Sequence, residues 1–161
     1  MRHAKAETFA EEDHRRRLTD RGLRAAGAAG RWLAEEGLVP THAFVSTAAR
    51  TRETWAALAT ASGCTVTPHY DDGLYVAGPD AVVDILRTAP EAARVVLYLG
   101  HNPTAATLPT LLDDGTADPV AFRSISEGFP TAALAVLDVP VAWPDLGAGC
   151  ARLVSVHKVD G

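Results

Sequence analysis

The sequence is poor in the residues that staple small domains or bind metals. Cysteine occurs only at Cys64 and Cys150, far apart and in no C-x-x-C arrangement, which argues against a disulfide framework or a zinc site. Both therefore read as small buried hydrophobes. No apolar run approaches the roughly 20 residues of a membrane helix, and the first residues lack the basic-then-apolar layout of a signal peptide. The expectation is a cytoplasmic protein with no membrane partner. Lysine is nearly absent, at Lys5 and Lys158 alone, so the other cations are all Arg, whose planar fork binds phosphate in a way Lys cannot. With a net charge of -5 and a pI near 5.6, binding to nucleic acid through phosphate neutralisation is disfavoured. No H-E-x-x-H, Walker or G-x-G-x-x-G pattern occurs, so zinc hydrolysis, P-loop chemistry and dinucleotide binding have no motif behind them. Neither a metal nor a cofactor is expected.

What is present fits one domain over residues 1–161, with 47% hydrophobic and 22% charged residues around a single core. A polar loop over 7–14 precedes a helix that Thr19 caps and Gly37 stops, with Leu23, Ala26, Ala29 or Gly30, and Leu33 on its buried face. Short strands are expected at 43–45 and 64–68, with a helix over 48–61 between them carrying Trp55, Leu58 and Ala59 inward. An acidic turn at 71–73 leads to Leu74-Tyr75 and a helix over 80–86. The apolar run 95–99 has the character of a central strand covered on both faces, and it ends in Gly100-His101-Asn102-Pro103. There Asn102 reads as the cap and Pro103 as the first residue of the next helix, which Asp113-Asp114-Gly115 closes. Residues 116–130 read as a long loop, followed by strands at 133–139 and 152–156. Alternating strands and helices imply an α/β domain, a three-layer α/β/α sandwich with a largely parallel central sheet.

In such sheets, ligands bind beyond the carboxyl ends of the strands. Arg2-His3, Ser46-Thr47 and Gly100-His101 all fall at such ends, so they should converge. Arg2, Arg16 and Arg50 can supply cations for a phosphoryl group, and His3 or His101 a nucleophilic imidazole. Nearby Arg charges would keep that imidazole neutral, and its second ring nitrogen needs an acceptor, most simply a backbone carbonyl. His14, His42, His69 and His157 share no spacing and read as structural.

Arg2-His3-Ala4 resembles the R-H-G/A signature of the histidine phosphatase superfamily, the phosphoglycerate mutase-like proteins. With Arg16 to Gly22, Val45 to Thr54, Leu74-Tyr75, Gly100-His101-Asn102-Pro103 and Pro130-Thr131-Ala132-Ala133-Leu134, the order of segments is similar to that of its short SixA-like branch, the phosphohistidine phosphatases. The resemblance implies a metal-independent phosphatase working through a phosphohistidine intermediate. It makes His3 the nucleophile, Arg2 and Arg50 ligands of the phosphoryl oxygens, and His101 the second site histidine. Arg16 matches a family Arg, but Arg17 stands where a Pro is usual, so the two can exchange roles; Arg17 and Asn102 join Arg16 as expected substrate-binding residues. Thr47 and Glu53 replace a common Pro and a common Gln.

Glu7, Asp71 and Asp72 are the candidates for a leaving-group acid, each equally readable as a solvated loop residue. A phosphoramidate needs less acid assistance than an alkyl phosphate, which favours a phosphorylated protein carrying phosphohistidine as the partner. A small phosphorylated metabolite is the alternative substrate, and a non-catalytic phosphate-binding module the alternative of another class. The family also leads one to expect an apolar strand just before Arg2; only Met1 precedes it here, so that strand is either missing from this chain or replaced by other packing.

Overall fold

Side chains on a strand alternate between its two faces, and the alternation here sorts the core into two halves. The structure is a computed structural model that describes residues 1–159. Its parallel sheet runs in the order β2 (His69–Asp71), β1 (His42–Ser46), β3 (Val96–Leu99). Phe44 stands opposite His69 on one side and Tyr98 on the other. Ala43, Val45, Leu97 and Leu99 enter a core shared with α1 (Asp20–Glu35) and α2 (Ala49–Ser62). Phe44 and Tyr98 enter a second core shared with α3 (Pro79–Leu86), α4 (Thr104–Leu112) and α5 (Pro119–Ser126). An antiparallel pair, β4 (Leu134–Asp138) and β5 (Arg152–His157), extends the second half. The result is the expected three-layer sandwich with a mostly parallel central sheet.

Helix α1 starts where the Thr19 hydroxyl accepts from the Gly22 N–H at 3.1 Å, satisfying one of the free donors of the first turn. Its inner face is a stripe of small residues, Gly22, Ala26, Ala29 and Gly30, ending at Leu33. Leu23, expected on that face, is 43% exposed. At Gly30 a Cβ would lie 2.3 Å from the Leu58 carbonyl oxygen, so only glycine lets α1 and α2 approach this closely.

Four local expectations are corrected. Residues 64–68 form no strand, because the Cys64 N–H still closes the α2 terminus on Ala59 and Pro68 has no N–H for a ladder; pairing with β1 begins at His69. Residues 116–130 are not one loop, since the Asp118 carboxylate caps α5 through the Val120 and Ala121 N–H groups. Asn102 is not a helix cap, because its amide donates to the Phe129 carbonyl at 3.1 Å and the helix begins at Thr104. The two cysteines are half-buried rather than core residues, Cys64 lying against the Pro40 carbonyl.

Residues 1–4 run alongside the end of β3 and tie the two sheets together. The Met1 nitrogen donates to the Tyr98 carbonyl, and Gly100 N–H to that of Met1 at 3.1 Å. His3 N–H donates to Gly100 O and Arg2 N–H to Ala133 O, both at 3.0 Å, and Ala132 N–H returns to His3 O at 3.1 Å. β3 and β4 do not pair directly. A cavity of about 380 Å³ is lined by residues of both, with Met1 beside Val96, Tyr98, Ala135, Leu137 and Trp143.

Candidate active site

The chain's first ordered hydrogen bonds decide the chemistry of its first histidine. His3 is 8% exposed, and its Nδ1 lies 2.8 Å from the carbonyl oxygen of Ala4. A carbonyl only accepts, so Nδ1 carries the proton and Nε2 keeps its lone pair. Burial, reinforced by the charges of Arg50, Arg2 and Arg16, pushes the His3 imidazole down to about 4, so it is neutral near pH 7. The Ala4 contact opposes this shift without reversing it.

His101 faces His3 with ring centroids 5.2 Å apart. It is placed by Gly100, where a Cβ would collide with the Tyr98 hydroxyl at 2.1 Å, so the chain turns off β3 against the Tyr98 ring only because that residue is glycine. Burial first, then Arg50 and His3, pushes His101 down to about 3. Its Nε2 lies 2.9 Å from the hydroxyl of Ser46, the last residue of β1.

Arg2 and Arg50 close the site. Arg2 Nη1 donates to the Phe129 carbonyl at 2.9 Å, the same oxygen that holds Asn102. Arg50, on the first turn of α2 and 4% exposed, donates from Nη1 to the Asp13 carbonyl and from Nη2 to its carboxylate. Asp13 also accepts from Arg16 Nε at 2.8 Å and from the Tyr75 hydroxyl. The Tyr75 bond, then Arg50 and Arg16, hold the Asp13 carboxyl down at about 2. With both forks anchored, Arg2 Nε, Arg50 Nε and His101 Nδ1 are buried and have no hydrogen-bond partner among the described residues.

A sequence profile described as histidine phosphatase superfamily (branch 1) matches residues 1–75. The uncharacterized protein Rv1276c of Mycobacterium tuberculosis is 39% identical over 160 residues, covering 98% of either chain. SixA of Nakamurella multipartitia superposes with a TM-score of 0.89 at 36% identity, over 100% of this chain and 94% of that one. SixA of Agrobacterium tumefaciens gives 0.78 at 30% identity, over 98% and 94%. The chain belongs to the histidine phosphatase superfamily. Within it the protein falls in the SixA-like branch, and it is a phosphatase.

In this phosphatase the residues singled out from sequence separate cleanly. Arg2, His3, Arg50 and His101 come together, with Arg16 joined to them through Asp13. Asn102 lies behind Arg2 on the shared Phe129 carbonyl. Arg17 turns away: it is 73% exposed and pairs with Glu53 at 2.6 Å, and Glu53 also takes the Leu18 N–H. Glu7 accepts from the Arg17 N–H, and Asp71 closes its own turn on the Gly73 N–H. Sequence reasoning missed Asp13, Tyr75 and His14. Asp13 was hidden in a polar loop; its position three residues before Arg16 is the i, i+3 pairing that could have revealed it. His14, read from sequence as structural, touches Thr47 and the Tyr75 ring.

Proposed function

We propose that this phosphatase works through a phosphohistidine intermediate on His3 and acts on phosphohistidine in a protein. The observation that carries the reading is the pairing of a neutral, buried imidazole, its Nε2 lone pair free, with three buried and unpartnered nitrogens on Arg2, Arg50 and His101. In this reading the Ser46 hydroxyl, 2.9 Å from His101 Nε2, donates to it and the imidazole proton sits on Nδ1, so that all three nitrogens are N–H donors.

In the first step His3 Nε2 attacks phosphorus in line and the bond to the leaving atom breaks. The N–H groups of Arg2, Arg50 and His101 hold the non-bridging oxygens as charge builds on them. In the second step water attacks phosphorus, the P–N bond to His3 breaks, and inorganic phosphate leaves. Arg16 is the substrate-binding cation, because its Asp13 contact joins it to Arg50, whereas Arg17 pairs with Glu53 on an exposed side chain. Asn102 keeps Arg2 in place through Phe129.

The test is acid-stable against acid-labile label. Turnover of a labelled phosphate ester, quenched early, should leave label on His3; label on a carboxylate or a Ser refutes the mechanism. Comparing kcat/KM on a phosphohistidine protein with a panel of sugar and nucleotide-derived phosphates separates the protein substrate from a small metabolite. A protein that binds phosphate but hydrolyses no aryl phosphate would be a binding module instead.

A further inference from the structure

We propose that His14 is the proton donor to the leaving group, oriented by Thr47 and Asp72. This inference rests on the phosphatase mechanism above and supplies the acid that Glu7 and Asp71 do not offer. The Thr47 hydroxyl lies 2.6 Å from Asp72 Oδ1 and 3.0 Å from His14 Nε2. A hydroxyl has one proton, and an ionised carboxylate only accepts. Thr47 therefore donates to Asp72 and must accept from His14, so the proton at Nε2 is fixed. Exchange with a substrate is left to Nδ1, which makes no hydrogen bond among the described residues.

The position fits the role. The rings of His3, His101, Tyr75 and His14 follow one another at centroid spacings of 5.2, 5.3 and 5.1 Å, leading outward from the nucleophile. His14 is held edge-on by Tyr75, and its neighbour Asp13 grips Arg50. It is half-buried and near enough that its charge acts on His101, and we assign it to the leaving-group side of the site.

His14 enters as the imidazolium, with Nε2–H held by Thr47; as His3 Nε2 forms its bond to phosphorus and the bond to the leaving oxygen or nitrogen breaks, the second proton, on His14 Nδ1, passes to that atom. Neutral His14 then takes a proton from the water whose oxygen attacks phospho-His3. Phosphate and unmodified His3 are released, and His14 returns to its starting state.

The test uses the full chain and two aryl esters that differ in leaving-group strength, nitrophenyl phosphate and phenyl phosphate. His14→Gln should slow transfer from phenyl phosphate by about 100-fold, the usual worth of a positioned proton donor. Its loss on nitrophenyl phosphate should be about tenfold smaller, because nitrophenolate leaves with little help. Thr47→Val should show the same leaving-group pattern more weakly. His14→Asn, with melting followed by circular dichroism, guards against an unfolded variant. Equal losses on both esters, or no loss, overturn the role of His14 while leaving the His3 mechanism intact; wild-type protein inactive on both esters and on a phosphohistidine protein overturns that mechanism itself.

Discussion

Acidification should cost this fold stability through His3 before it affects the carboxylate of the site. Burial holds His3 at about 4 in the folded chain, below the 6.5 of an ordinary imidazole. Between those values the unfolded chain binds more protons than the folded one, so stability falls as pH falls. Lowering the imidazole from 6.5 to about 4, at roughly 1.4 kcal/mol for each tenfold change in proton affinity, limits the loss to about 3.5 kcal/mol, of which about 2 kcal/mol falls between about pH 7 and pH 5. Asp13, held down at about 2, gives up its stabilisation only below the ordinary carboxylate range, outside that window. Urea denaturation of the wild type and of His3→Asn across the window measures the difference. The variant should lose about 2 kcal/mol less than the wild type on acidification. Parallel losses, or a folded-state NMR titration of the His3 ring near 6.5, would refute the claim that burial keeps this imidazole neutral.

Arg50→Lys should lower kcat/KM by about 100-fold, since one ammonium nitrogen cannot reach both Asp13 acceptors and also stand where Nε would meet a phosphoryl oxygen; wild-type-like kinetics would remove Arg50 from the site. Gly30→Ala should cost about 1–3 kcal/mol in urea denaturation by forcing α1 from the Leu58 carbonyl, and an unchanged midpoint would contradict the close helix contact. Asp118→Ala should remove the α5 cap and cost about 1 kcal/mol, with amide exchange faster at Val120 and Ala121 than in the wild type.

The parts of the structure legible in the sequence were those governed by local rules. Thr19, Gly37 and the apolar run 95–99 each fixed an element through capping, a left-handed residue or uniform hydrophobicity. The convergence of His3, Arg50 and His101 was legible because strand ends share one edge of an α/β sheet. The pairing of Asp13 with Tyr75 was not, because it is a contact across 62 residues, although the i, i+3 spacing of Asp13 and Arg16 held a local hint. Leu23 was misplaced because small residues, rather than the larger ones, form the buried stripe of α1. The α5 helix was overlooked although Asp118-Pro119 is a helix-start pair, since the length of the segment suggested a loop.

Residues 1–4 carry His3 and are also the seam between β3 and the chain entering β4. The residue proposed to carry the phosphoryl group is thereby made part of the joint on which the tertiary structure depends. Loosening that seam by heat or denaturant would displace His3 from His101 and Arg50 at the same moment, so loss of turnover and loss of structure should follow a single transition. The catalytic centre then serves as its own gauge of whether the two halves of the protein remain closed.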